Sequence, residues 1–167
     1  MNIFFLHTNP RKCARWHCDK HVVKMLLETC QLLYTCHWMM GRTDFSSAPL
    51  RKDGGHGYKK AHWNHPCSKW VRQSLSCYKW LTTLGLELLR EYEFRYPGKT
   101  HGCATHIQWL HYNAPPDLAD IGWVEPCKAM PDIYKSFDSV SSYRRYYNGA
   151  KKDILRWTGR HTPHWVV

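Results

Sequence analysis

The sequence predicts a mainly α chain: a compact single-domain helical bundle over residues 1–167, with a short N-terminal strand and long irregular connections. Three observations carry this reading. Apolar residues recur at helical spacing through two long stretches, from about residue 10 to 40 and from about 64 to 96. Each stretch opens on a Pro behind a capping side chain, Asn9-Pro10 and Asn64-His65-Pro66, and each stops at glycine, Gly41 and Pro97-Gly98. The 167 residues, 43% of them hydrophobic, support one core and are too few for two domains of ordinary size.

In chain order, Met1 to His7 reads as the strand, because apolar residues follow Asn2 without the basic lead of an export signal. On a wheel of about 100° per residue, Val22, Val23, Leu26, Cys30 and Leu33 of the first long helix share an apolar stripe. His17, His21, Lys24, Glu28, Gln31 and Thr35 share a polar one. Residues 41–61 form a polar loop in which Arg51, Lys52, Lys59 and Lys60 flank Gly54-Gly55-His56-Gly57. It reads either as a phosphate-gripping segment or as a plain linker. In the second long helix Trp70, Cys77, Leu81, Leu84 and Leu88 point inward. A short helix around Cys103–Tyr112 precedes an irregular stretch marked by Pro115, Pro116, Pro126 and Pro131. The last helical pattern starts near Asp138 and breaks at Gly149.

Lys and Arg number 24 against 13 acids, a formal charge of +11, which points to a polyanionic partner. The surplus lies at the two ends, so the ends are expected to meet in one positive face. No apolar run approaches the roughly 18 residues of a membrane span, so no membrane partner is expected. The eight Cys have irregular spacing and no export signal beside them. They read as free thiols in an intracellular, reducing compartment, host cytoplasm or nucleus, or in a virion. Arg15-Trp16, Lys69-Trp70, Lys79-Trp80 and Arg156-Trp157 place rings beside cations, an arrangement that serves either base stacking or core anchoring.

The polar stripe holds the first chemical constellation. His21 and Glu28 lie two turns apart, about 10–11 Å along the axis, too far for a direct hydrogen bond and far enough to admit a substrate. Lys24 lies beside both. A carboxylate there can stabilise positive charge developing on a sugar or move a proton. The alternative is a solvated face with a Lys24–Glu28 ion pair. Asp19 falls near the apolar stripe and is predicted to cap the helix or to pair with a buried partner. His62, His65 and Cys67, and His101, Cys103, His106 and His111, are ligand types that zinc accepts, but they lack paired ligand spacing. No metal and no cofactor are assigned. P-loop, dinucleotide, nucleophile-elbow and zinc-deaminase patterns do not occur.

Asp19-Lys20-His21-Val22-Val23-Lys24-Met25-Leu26-Leu27-Glu28-Thr29-Cys30-Gln31-Leu32, with Asn64-His65-Pro66-Cys67 and Trp70, resembles an uncharacterised family of phages and large DNA viruses. The Ala129-Met130-Pro131 and Tyr146-Tyr147-Asn148-Gly149 stretches extend that resemblance over most of the chain. More distantly, the chain is similar to pyrimidine-dimer DNA glycosylases of the endonuclease V type, small basic helical proteins. There an Asp, a His two residues on and a catalytic Glu seven beyond the His share a helix, as Asp19, His21 and Glu28 do. That resemblance implies attack on the sugar C1′ by an N-terminal amine exposed after Met removal. Here residue 2 is Asn, a bulky residue behind which Met is usually kept. The nucleophile is therefore the Met1 amine, a lysine such as Lys24, or absent, in which case water would act.

The resemblance implies a DNA N-glycosylase, with abasic-site lyase chemistry if an amine is used. The alternative is a non-catalytic viral nucleic-acid-binding or virion protein, associated with other virion proteins. The residues assigned to catalysis are Glu28, His21, Lys24 and Met1. Those assigned to double-stranded DNA are Arg11, Lys12, Arg15, Lys20, Lys59, Lys60, His65, Trp70, Arg144, Arg145, Lys151 and Lys152.

Overall fold

The Asn9 carboxamide accepts the backbone N–H of Lys12 at 3.1 Å and starts the first helix, α1 (Pro10–Trp16), with Pro at its first turn. Five more follow in the computed structural model, which describes all 167 residues: α2 (Asp19–Met39), α3 (Pro66–Val71), α4 (Leu75–Arg95), α5 (Ala104–Tyr112) and α6 (Ser139–Asn148). Single 3-10 turns stand at Asp132–Tyr134 and Lys152–Ile154. No helix is long and apolar enough to cross a membrane. The mainly α class predicted from the sequence is the one observed.

Each long helical stretch turns out to be two helices. The first breaks at His17 and Cys18, whose backbone is extended. The cause lies far along the chain. The buried Arg95 guanidinium donates to the carbonyls of Arg15 (3.0 Å) and His17 (2.8 Å) at the end of α1, and to the Asp19 carboxylate (3.0 Å) at the start of α2. His17 leaves the predicted polar stripe and is fully buried, its Nδ1 on the Cys13 carbonyl at 2.8 Å. The second stretch breaks before Ser74, which caps α4 and donates to Asp120 at 2.9 Å. His65, rather than Asn64, caps α3.

The predicted N-terminal strand does not form. Ile3 to Leu6 are buried, but their backbone is irregular, with the Leu6 N–H turned back onto the Phe4 carbonyl at 3.0 Å, and there is no strand to pair with. Phe5 packs on Trp70 and Trp80, and Phe4 on His21, Tyr143 and Tyr147. The isolated bridge between Leu50 and His56 is the sole β pairing. Helix α4 forms the spine, packed against α1, α2 and α5. Gly85 allows the close approach, since a Cβ there would meet Ile107 at 3.0 Å and Thr29 at 3.2 Å. The two ends of the chain do meet: Arg144 donates to the Leu6 carbonyl, Trp157 to that of Trp16, and Thr158 to Asp19.

Candidate functional site

Helix α2 carries Glu28 on the side that faces the N-terminal arm. Glu28 is 7% exposed, and its Oε2 accepts the backbone N–H of Asn2 at 2.7 Å. Two cations stand farther off, the Met1 amine 3.9 Å from Oε2 and Lys24 Nζ 3.5 Å from Oε1. The Asn2 side chain fixes the arm in turn: Nδ2 donates to the Ala129 carbonyl at 2.9 Å, and Oδ1 accepts the Tyr143 hydroxyl at 3.0 Å. A cleft of about 180 Å³ opens here, lined by Met1, Asn2, Phe4, His21, Lys24, Met25, Glu28, Tyr146 and Lys151. All four residues assigned to catalysis from the sequence share it.

His21 is the least available of them. Its ring stacks on Phe4 at 4.3 Å between centroids, and Nδ1 shares a 2.6 Å hydrogen bond with the buried Tyr147 hydroxyl. Burial, aided by the neighbouring His17 ring and the charges of Lys151 and Lys24, pushes its pKa down to about 3. The imidazole is therefore neutral near pH 7 and forms the rigid floor of the cleft. His65 stands near enough that the Met1 amine and Glu28 both act on it electrostatically, though burial is the main cause of its lowered pKa. Its Nδ1 is taken by the Cys67 N–H at 3.1 Å, which leaves Nε2 as the free ring nitrogen.

A second, larger cleft of about 550 Å³ shares Lys24 with the first. Val23, Leu27 and Leu50 supply an apolar surface, Tyr58 and His106 supply rings, and Arg51 and Lys52 supply cations. Here the structure reassigns the His101–Cys103–His106 cluster. These side chains line the cleft, and nowhere do three or more His, Cys, Asp or Glu side chains converge as a metal site requires.

The residues assigned to DNA contacts scatter more widely. Lys151 reaches the Glu28 cleft and lies over the Tyr146 ring. Lys59 and Lys60 line a groove with Trp38, Arg51 and His56. Lys20 flanks another cleft beside Asp19. Arg11, Lys12 and Lys152 are exposed and free of ion pairs. Three arginines make contacts within the chain, Arg15 and Arg145 while remaining exposed: Arg15 faces Glu91 at 3.9 Å, Arg144 lies over the Trp16 ring, and Arg145 donates to the Ile133 carbonyl. Trp70 is a correction. It is 1% exposed, donates to the Val124 carbonyl and packs on Phe5, so it belongs to the core and has no face to offer a base.

Sequence reasoning missed Asn2 as the residue that holds Glu28, and Tyr147 as the partner of His21. Neither contact has a local signal, since each joins positions more than 25 residues apart. The family comparison bears on the same segment. The family model for pyrimidine dimer DNA glycosylase matches residues 1–103, more than half of the chain. The chain belongs to that family. Comparison with curated proteins and with solved structures gives no match. The matched part of this pyrimidine dimer glycosylase family member contains Met1, His21, Lys24 and Glu28, whereas Tyr146 and Lys151 lie beyond it.

Proposed function

We propose that this family member is a DNA N-glycosylase acting on a damaged or modified base of duplex DNA, and that the glycosidic bond breaks at the Glu28 cleft. The observation that supports it is the convergence of one held carboxylate and two amines at the mouth of a single cleft. As the base leaves, the sugar gains oxocarbenium character, and a preorganised carboxylate beside it lowers the barrier electrostatically. An amine then completes the displacement: its nitrogen bonds to C1′, the C1′–N bond breaks, and the departing base keeps the electron pair and takes a proton. Opening of the sugar ring gives an imine, from which strand cleavage by elimination follows.

Between the two amines, that of Met1 is the better nucleophile. The Met1 amine is carried directly on the backbone of the N-terminal arm, with the Met1 side chain only 3% exposed. The Asn2 N–H on Glu28 also holds it in place, while the Lys24 side chain is 68% exposed. The neighbouring larger cleft, whose lining combines apolar side chains, rings and cations, has the chemistry to take an unstacked base.

The experiment incubates the protein with ultraviolet-irradiated and with abasic duplex DNA under borohydride, and maps any adduct by mass spectrometry. A covalent adduct on residue 1 is expected. An adduct on Lys24 would keep the reaction and reassign the nucleophile. Absence of both base release and adduct on both substrates overturns the proposal.

A further inference from the structure

Beneath the N-terminal arm, two thiols face each other. Cys67 in the first turn of α3 and Cys127 in the irregular 113–138 connection have sulfurs 3.5 Å apart. Their position is not incidental. Cys67 Sγ also lies 3.4 Å from Asn2 Oδ1, and the Cys127 carbonyl accepts the Tyr143 hydroxyl that bonds the same Asn2 oxygen. The pair thus lies directly under the residue whose backbone N–H holds Glu28.

We propose that Cys67 and Cys127 form a thiol-oxidation site that takes a hydroperoxide as its substrate and closes to a disulfide beneath the N-terminal arm. The two thiols are unequal in the way such a reaction needs. Cys67 is fully buried, while Cys127 is half-buried and so the nearer of the two to solvent. Contact with Cys127 and burial push the Cys67 thiol up, whereas the same contact lowers that of Cys127. Cys127 is the more accessible of the two sulfur-bearing residues, so the attacking thiolate is assigned to it. It displaces an alcohol or water from the O–O bond and becomes a sulfenic acid. The Cys67 thiol then attacks that sulfur, forming S–S and releasing water. Overall two thiols and one hydroperoxide give one disulfide, one alcohol (or water) and one water; the sulfurs lose two electrons and the O–O bond gains them.

Closure needs the sulfurs to move from 3.5 Å to about 2.05 Å. One side of the pair lies in the irregular connection, which makes that movement easier than between two helices. The disulfide would tie the start of α3 to the connection that carries Ala129, and so stiffen the bed on which Asn2 lies. This chemistry does not depend on the glycosylase reading; only its effect on the Glu28 cleft does.

The test treats the purified full-length chain with hydrogen peroxide and maps it by non-reducing peptide mass spectrometry, with thermal unfolding measured in parallel. The expected product is a Cys67–Cys127 peptide pair lighter by two hydrogens, reversed by dithiothreitol, with an unfolding midpoint raised by several degrees. In Cys67→Ser, Cys127 should be trapped by dimedone as sulfenic acid, and in Cys127→Ser, Cys67 should stay reduced. If Cys67→Ser fails to fold, the wild-type mapping and Cys127→Ser alone decide. Absence of the crosslink while other cysteines oxidise overturns the proposal. So does oxidation of Cys67 at an unchanged rate in Cys127→Ser. Base release from damaged DNA is read separately, so its absence counts against the glycosylase reading and leaves this one standing.

Discussion

Asp19 and Glu28 are both acidic residues of α2, both largely buried and both near cations, yet their surroundings have opposite character. Asp19 is saturated. Its Oδ1 accepts Arg95 and the Thr158 N–H at 3.0 Å each, and Oδ2 accepts the Thr158 hydroxyl at 2.7 Å. Burial works against its ionisation, but the Thr158 and Arg95 hydrogen bonds outweigh it and hold the carboxyl below the usual carboxylate range. Arg95 in turn binds Glu91, which Arg160 closes from the other side at 2.7 Å. Glu28 has one short hydrogen bond, from Asn2, and two cations at the outer limit of ion pairing. A carboxylate has about four acceptor positions, so Glu28 keeps capacity that Asp19 has used up. A cleft borders each residue. What separates a structural carboxylate from one able to act on a ligand is therefore unspent hydrogen-bonding capacity, not the hollow beside it.

The largest expected effect tests the saturated side. Arg95→Met removes a buried charge from between two carboxylates and strips the carbonyls of Arg15 and His17 of their donor. A loss of about 3–5 kcal/mol in unfolding free energy is expected, measured by denaturant titration. A loss under about 1 kcal/mol, the usual worth of an exposed pair, would erase the contrast.

The next effect falls on activity. Glu28→Gln keeps shape and helix propensity while removing the charge, so base release should drop by about 10²-fold or more. Duplex binding, read by fluorescence anisotropy, should persist or tighten slightly. The contrast breaks if this variant loses stability as Arg95→Met does while releasing base at the wild-type rate.

The smallest effect, taken per histidine and per pH unit, is titration with acid. His17 and His37 are held neutral with pKa values near 4, and His21 with one near 3, burial being the first cause in each case. Their folded values lie below the unfolded one, so the unfolded chain binds the extra protons as pH falls. Stability should be full above about pH 6.5 and decline below it, by up to about 1.4 kcal/mol per pH unit for each histidine. Unfolding midpoints measured between pH 7 and 4 check this. A flat response across that window would show that these rings can be charged in place.

Local chemistry explains what was legible in the sequence. Asn9 with Pro10 and Asp138 with Ser141 are short-range caps, and both helices begin where these residues say. Glu28, Lys24 and His21 were readable as a group because helical spacing alone brings them together. The breaks at residues 17–18 and 72–74 were not readable. The first is made by Arg95, and the second is stabilised at Ser74 by Asp120, each distant in sequence. Trp70 misled for a related reason: a ring next to Lys69 fits a stacking surface as well as a core, and only the arrival of Phe5 decides between them. The strand failed because four consecutive apolar residues record burial without recording what buries them.

The break between α1 and α2 also imposes an order in time. During synthesis residues 10–39 leave the ribosome well before Arg95, and nothing local stops a helix from running through His17 and Cys18. A peptide of residues 9–40 should accordingly be helical across that point, with continuous amide protection, and bend only when the C-terminal end of α4 docks. The N-terminal arm is held against Glu28 by residues far along the chain, Asn2 by Ala129 and Tyr143 and Leu6 by Arg144. A ribosome-bound fragment ending before Arg144 would carry every residue of the Glu28 pair and still lack the cleft.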